Sequence, residues 1–307
     1  MFQGTKADTK KALPPPLTTE NLQVQRDIPV RTSSDTRNSF LSGMALVPDN
    51  KMVLCDWPND SVKLVDLVAG RLVSCRRLLS APWDVCAIPG NKVAVTCPLD
   101  GNIQISSTLP QLRFTEYIKT RRECRGIRYW LSRLIVTFYG GSVQILDMWG
   151  NVLKEIDNKK SGYQLFETPL YLTLDINEGS ALYVSDNGKS TIIKMDLSLE
   201  VVAKIENEVF KAPGAMFPLD DHHLLVCAYG SHNVVLVNTE TQDVRELLGP
   251  GQGIKKPRCV SYSAVLRKLY VTYEFCDSVK VFNMLGAAMP AFCGPVRYRR
   301  KKKKYSS

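Results

Sequence analysis

The 307-residue chain lacks the sequence features that mark membrane proteins, secreted proteins and metal sites. It has no run of 18 apolar residues, so we expect no membrane span. Its first 16 residues contain no apolar stretch of the kind that a secretory signal needs. The nine cysteines are an odd number without a C-x-x-C pair, which argues against a disulfide framework and a zinc site. We therefore expect buried, reduced thiols in a cytoplasmic protein.

Sequence motifs for catalysis are also scarce. Gly188-Lys189-Ser190 resembles the end of a phosphate-binding loop, but Tyr183 stands where such a loop has its first glycine. No G-x-S-x-G sequence is present, so the sequence offers no nucleophilic serine of that type. Neither motif supports a catalytic function.

What the chain does have is an internal repeat. Alternating strands such as Ser61–Asp66 recur, and the six copies end at residues 66, 107, 147, 196, 238 and 283. Neighbouring copies are therefore 40 to 49 residues apart. A second strand precedes each copy, and a first strand often follows a proline, as at Pro82, Pro169, Pro213 and Pro257. This period predicts an all-β fold, a six-bladed β-propeller with four strands in each blade.

The sixth copy has no convincing fourth strand after Asn283. Because an unpaired strand edge is a liability, we predict that Asp27–Thr32 supplies the missing strand and closes the ring. The predicted organisation is a flexible N-terminal segment over residues 1–24, the propeller over 25–287 and a flexible basic tail over 288–307.

One repeat carries a family resemblance. Gly162, Phe166 and Pro169 precede the strand ALYVSDN at Ala181–Asn187, and the next strand ends at Asp196. This arrangement resembles an NHL repeat, which has Gly and Phe in the leading loop, Pro before the first strand, a YVADxxN second strand and a final Asp. From about residue 26 to 286 the chain resembles the C-terminal NHL-type propeller of tripartite-motif-like proteins.

Two blades depart from this pattern, because Ser107 replaces the final Asp and Gly140-Gly141 replaces the DxxN turn. WD-repeat propellers are the nearby alternative, but Trp83-Asp84 opens a first strand and no Gly-His pair is present. The tight Cys/His spacing of a RING or B-box is missing as well. The resemblance therefore implies the recognition part of such a protein, or a stand-alone propeller.

In this topology, the connections between blades and the turns between second and third strands lie on one face. Here they combine basic and aromatic residues, which suit phosphates and the bases of single-stranded nucleic acid. Acidic residues such as Glu274 and Asp277 dilute the positive charge. The candidate ligand-binding face consists of Trp57, Arg121, Arg122, Arg125, Tyr139, Lys211, Tyr229, Lys255, Lys256 and Arg258.

The resemblance implies a non-catalytic recognition module, with a protein as the expected partner. RNA binding through the basic face and the tail is the first alternative, and a channel-centred hydrolase or lactonase is the second. The second is disfavoured because His222, His223 and His232 fall in one blade and do not make the axial metal site of lyase-type propellers. Only Asp84 and Asp175 lie in the inner-strand register, too few acids for calcium. We expect no enzyme, no bound metal, no cofactor and no membrane partner.

The basic tail is a separate feature. The formal net charge is +10, and seven of the positive charges lie within eight residues of the C-terminal segment. Such a run predicts nuclear localisation or nucleic-acid contact, and a plain solvated tail fits it equally well. The tail residues are Arg297, Arg299, Arg300, Lys301, Lys302, Lys303 and Lys304.

Overall fold

The computed structural model describes residues 17–158, 164–176 and 181–285, and its six antiparallel sheets form a six-bladed β-propeller. The predicted fold class is thus confirmed. Two short strands precede the first blade, β1 (Leu22–Val24) and β2 (Ile28–Pro29). Within the described ranges, no helix is long and apolar enough to cross a membrane.

Each of the first five blades is a meander of four strands in chain order. Blade 1 has β3 (Leu41–Val47), β4 (Lys51–Asp56), β5 (Ser61–Asp66) and β6 (Arg71–Arg77). Blade 2 has β7 (Val85–Ile88), β8 (Lys92–Cys97), β9 (Asn102–Ser107) and β10 (Arg113–Lys119). Blade 3 has β11 (Cys124–Trp130), β12 (Arg133–Phe138), β13 (Ser142–Asp147) and β14 (Val152–Asp157).

Blade 4 has β15 (Pro169–Leu174), β16 (Leu182–Asp186), β17 (Thr191–Met195) and β18 (Val201–Ile205). Blade 5 has β19 (Pro213–Pro218), β20 (His223–Ala228), β21 (Asn233–Asn238) and β22 (Val244–Leu248). Blade 6 has β23 (Pro257–Ser263), β24 (Lys268–Tyr273) and β25 (Ser278–Met284). Short 3₁₀ turns lie at Thr19–Asn21, Trp57–Asn59 and Pro250–Gln252.

The ring closes through the N-terminal strands, as predicted, but over a longer stretch. Ile28 and Pro29 of β2 pair with Val279 and Ser278, within the predicted segment. β1 pairs with the other end of β25, over Phe282–Met284. The predicted domain boundaries stay a prediction, although residues 17–24 include this strand and the buried Leu17.

The hydrophobic core lies in layers between neighbouring blades. Strands rich in Val, Ile and Leu bury apolar side chains against the next blade, at about 25 cal/mol for each Å² of apolar surface. The layer between blades 6 and 1 extends across the axis to Tyr171 of blade 4. Its hydroxyl donates to the carbonyl of Ser42 in blade 1, 2.8 Å away. The centre of the ring is therefore bridged by a side chain.

The inner strands approach one another closely. A Cβ added to Gly43 would lie 2.7 Å from the Cα of Asp84, and one added to Gly126 would lie 2.7 Å from the Cα of Tyr171. No side chain fits at either glycine without movement of the neighbouring backbone. These two glycines let the first strands of adjacent blades pack backbone to backbone around the axis.

A buried ion triad fastens the segment before the first blade. The ammonium group of Lys63, fully buried, lies 2.7 Å from Asp35 and 2.6 Å from Asp56. Since Asp35 precedes β3 and the other two residues belong to blade 1, the triad fixes the path of the chain into the ring. Removing one member of such a buried group costs about 3–5 kcal/mol, because the remaining charge is left uncompensated.

Candidate functional site

The inner strands begin at one end of the ring, which we call the mouth. In blades 2, 3 and 6 a threonine hydroxyl of the second strand accepts the backbone N–H of Asp84, Gly126 and Cys259, respectively. This shared bond makes the preceding residues structurally equivalent. They are Trp83, Arg125 and Arg258.

The Arg125 cluster consists of Arg125, Trp57, Trp83 and Tyr139. The guanidinium carbon lies 4.5 Å from the ring centre of Trp83, 5.4 Å from that of Trp57 and 5.5 Å from that of Tyr139. A cation at these distances is attracted by the negative faces of the rings. Burial lowers the pKa of Arg125, because the charged form is partly withdrawn from water.

The Arg258 cluster consists of Arg258, Lys256, Tyr229 and Glu274. The Tyr229 hydroxyl donates to Glu274 Oε1 at 2.8 Å, and Lys256 Nζ lies 2.7 Å from Oε2. Arg258 lies 4.0 Å above the Tyr229 ring and 3.8 Å from Glu274. Burial pulls the pKa of Glu274 upward, but hydrogen bonds from Lys256 and Tyr229 outweigh it and lower the pKa overall. Glu274 is therefore ionised at neutral pH.

A histidine joins the edge of the Arg258 cluster. The backbone N–H of Lys256 donates to Nδ1 of His232 at 3.3 Å. In the neutral ring this contact leaves the proton on Nε2, which makes His232 a hydrogen-bond donor on its other side. The region therefore contains four hydrogen-bond donors, which are Arg258, Lys256, Tyr229 and His232.

Aromatic residues connect the two clusters. Phe40 lies 6.5 Å from Trp83 and 6.0 Å from Phe275 between ring centres, and the Arg258 guanidinium lies 4.5 Å above it. Tyr171 stacks on Trp83 from below, with ring centres 5.9 Å apart. The mouth is therefore a continuous surface of rings that carries two arginines.

The predicted face is brought together only in part. Trp57, Arg125, Tyr139, Tyr229, Lys256 and Arg258 all belong to the two clusters. Arg121 instead pairs with Glu155 and Asp157 of β14, at 3.2 and 3.4 Å. The remaining predicted residues are exposed and make no contact with either cluster in the contacts observed; they are Arg122, Lys211 and Lys255.

Sequence reasoning missed three aromatic residues of the mouth. Phe40 and Tyr171 are buried at the start of inner strands, and such residues in an apolar strand are typical of core. Trp83 was interpreted as part of a Trp-Asp pair and as the start of a first strand, but not as a binding residue. The signal that could have identified it was its position after Pro82, which matches that of Arg258 after Pro257.

Two predictions cannot be assessed at the site. The basic tail from Arg297 to Lys304 lies outside the described residues. Within the described ranges no three His, Cys, Asp or Glu side chains form a group that could hold a metal ion. That the chain binds no metal and no cofactor stays a prediction.

No family model and no curated protein sequence matches the chain. Solved structures do resemble it. A streptogramin B lyase is similar at 13% identity with a TM-score of 0.64, over 87% of this chain and 99% of that one. A catalytically inactive histidine-to-alanine variant of virginiamycin B lyase from Staphylococcus aureus, solved with quinupristin, is similar at 11% identity and a TM-score of 0.62, over 86% and 100%. Hydrazine synthase of Kuenenia stuttgartiensis is similar at 14% identity and a TM-score of 0.61, over 82% and 79%.

These similarities correct two predictions. The sequence predicted a non-catalytic, tripartite-motif-like recognition module and no enzyme. The structures named above, which resemble the chain over 82 to 87% of its length, are enzymes, and they give no support to such a recognition role. The prediction failed because it took the scarcity of known catalytic motifs as evidence against catalysis, whereas a propeller can assemble a site from residues on different blades. At 11 to 14% identity the likeness itself shows the fold alone.

Proposed function

We propose that the chain is an enzyme of the lyase class that acts on a small substrate at the mouth of the propeller. The observation that carries this proposal is the hydrogen bond from Tyr229 to Glu274, flanked by the cations of Lys256 and Arg258. The similarity to lyase propellers suggests the reaction class, and the chemistry of these four side chains supports it.

An elimination removes a proton next to an electron-withdrawing group and then expels a leaving group. The site must therefore accept a proton and stabilise developing negative charge. The phenol oxygen of Tyr229 can take the substrate proton while its own proton passes to Glu274 over 2.8 Å. Arg258 and Lys256 offset the negative charge that forms on the substrate oxygen and passes through the phenol.

We also propose that the blades of this propeller are NHL-type repeats. The strand sequence ALYVSDN of blade 4 supports NHL-type repeats, and the propeller architecture is compatible with them. The expected cytoplasmic location and the partners stay predictions.

The proposal is tested with quinupristin and a panel of small esters and amides that bear a carboxylate. Products are followed by mass spectrometry and by the ultraviolet absorbance of a new double bond. We expect products that have not gained the mass of a water molecule. We also expect Tyr229→Phe and Glu274→Gln to lower turnover by about a hundredfold or more. Matched controls are Tyr117→Phe and Glu116→Gln, which change exposed residues of β10 and are expected to leave turnover unchanged.

Three results contradict the proposal. Products that gain one water show hydrolysis instead of elimination. Unchanged turnover in both mouth variants places the reaction elsewhere on the protein. No product from any member of the panel at high enzyme concentration removes the support for this substrate class.

A further inference from the structure

Arg125 differs from the other mouth arginine and from two arginines near it in the chain. Arg128 lies 3.0 Å from Asp84, Arg121 lies 3.2 Å from Glu155, and Arg258 lies 3.8 Å from Glu274. Arg125 has no carboxylate within salt-bridge distance among the residues that the structure describes. No carboxylate of the described residues therefore pairs directly with the guanidinium of Arg125, and the acid that acts on its charge from farther away is Glu123.

The nitrogen atoms of this cluster are also unpaired. Nε and Nη1 of Arg125 and the indole Nε1 of Trp83 are covered from solvent and have no hydrogen-bond partner within the described ranges. Buried donors normally have a hydrogen-bond partner, because leaving a buried donor unsatisfied costs more free energy than one hydrogen bond contributes. These three donors, two on the Arg125 cation and one on the ring beside it, point to an acceptor that comes from outside the chain, on the side of the exposed Tyr139.

The walls of the cluster differ in rigidity. Trp83 is held by Tyr171 on one side and by Trp57, edge-on with ring centres 5.2 Å apart, on another. Tyr139 is 47% exposed and is followed by Gly140-Gly141, where Gly140 has open space around its Cα. Tyr139 is thus the wall that can turn aside and uncover the guanidinium, while the tryptophans stay in place.

We propose that the Arg125 cluster is a subsite for the carboxylate of a small molecule that carries a flat ring. A guanidinium fork binds a carboxylate through two parallel hydrogen bonds, and one cation without a directly paired carboxylate matches one negative charge. A doubly charged phosphate would need a second free cation, whereas Arg121 and Arg258 are already paired. The exposed ring of Tyr139 and the half-buried ring of Trp57 give a flat group a surface to stack on.

This subsite rests on the proposed function in one respect only, since it takes the ligand to be the anionic end of the substrate. Its test therefore measures binding without turnover. Benzoate is the probe, and benzamide, which has the same shape without the charge, is its control. Tryptophan fluorescence reports on Trp57 and Trp83 directly, and a thermal shift measures the same binding independently.

We expect benzoate to change the fluorescence and raise the Tm of the wild-type protein, and benzamide to do neither. Arg125→Met is expected to weaken benzoate binding by more than about tenfold, because a hydrogen-bonded charge is lost. Arg125→Lys keeps the charge without the fork and should bind at an intermediate strength. The matched control is Arg122→Met, which removes an exposed arginine of the same connection and should bind benzoate as the wild type does.

Tyr229→Phe separates this inference from the proposed function. It should lose turnover and still bind benzoate, so failure of one idea does not imply failure of the other. Equal responses to benzoate and benzamide in the wild type overturn the subsite, as does unchanged benzoate affinity in Arg125→Met. A lower Tm in Arg125→Met, with no benzoate effect in the wild type, shows that the arginine stabilises the fold and does not bind a ligand. If Arg125→Met does not fold, the wild-type comparison and Arg125→Lys still decide.

Discussion

Arg125 and Arg258 occupy equivalent positions in blades 3 and 6, yet they have different partners. Each follows the first paired residue of its inner strand, and each guanidinium lies over aromatic rings. Cys124 pairs with Phe138 in blade 3, and Pro257 pairs with Tyr273 in blade 6. The partners differ because the residue that follows the second strand differs. It is Tyr139 in blade 3 and Glu274 in blade 6.

A single residue in this turn thus determines what a mouth arginine can do. Glu274 pairs with Arg258 and Lys256 and accepts the hydrogen bond of the Tyr229 hydroxyl. Tyr139 gives Arg125 a ring and no counter-charge. The same backbone position therefore yields an arginine paired with an acid in blade 6 and an arginine packed against a ring in blade 3.

Introducing a carboxylate at position 139 of blade 3 should remove the difference between Arg125 and Arg258. Tyr139→Glu places an acid where blade 6 has Glu274, and the new pair occupies Arg125. Benzoate affinity is then expected to fall by more than about tenfold, since the ligand must displace an internal ion pair. Isothermal titration measures the change, and Tyr139→Gln, polar without charge, is the control that should retain most of the affinity. Equal losses in both variants would show that the tyrosine ring, and not the free cation, holds the ligand.

A smaller effect, on the free energy of unfolding, is expected for Tyr171, which lies below the two clusters. Tyr171→Phe removes the donor to the Ser42 carbonyl but keeps the ring that stacks on Trp83. Because the Cys259 thiol also contacts that carbonyl, at 3.2 Å, the free energy of unfolding should fall by only about 1 kcal/mol. Urea denaturation measures it, with Tyr117→Phe on the surface as the control. Benzoate binding should not change, and a parallel loss of binding would show that the hydroxyl, and not the ring, supports the Arg125 cluster.

The sequence was sufficient for the fold because the repeat is periodic. The third strands predicted from Ser61–Asp66 to Ser278–Asn283 match the observed ones closely, and β2 lies within the predicted closing segment. The strand at Leu22–Val24 was missed, since a short polar segment with few apolar residues gives no strand pattern of its own. Leu17 nevertheless packs into the layer between blades 5 and 6. A contact that depends on the closed ring cannot be read from local sequence.

The site was only partly predictable for a related reason. Topology correctly placed Arg125 beside Trp57 and Tyr139, because all three lie at the same end of neighbouring blades. It could not tell that Arg121, four residues earlier, turns towards the acids of β14. The register of β11 also shifts between Cys124 and Ile127, and sequence periodicity does not reveal such a shift.

The smallest expected effect concerns acid. The pKa of Glu274 is lowered from its ordinary value of 4.5, so the folded state holds this carboxylate in its ionised form more strongly than the unfolded state does. Its contribution to stability is therefore complete above that value and is lost as the pH falls through the folded pKa. The Tm difference between wild type and Glu274→Gln should be largest near neutral pH and should shrink below about pH 4.5. Calorimetry across this range measures the difference.

In blade 3 the wild-type Arg125 has no such carboxylate, so Tyr139→Gln should leave the acid dependence unchanged, whereas Tyr139→Glu should add a second loss of stability in the same pH range. A Tm difference for Glu274→Gln that stays constant with pH would show that the side chain stabilises the mouth by packing, and the electrostatic contrast between the two blades would then not hold.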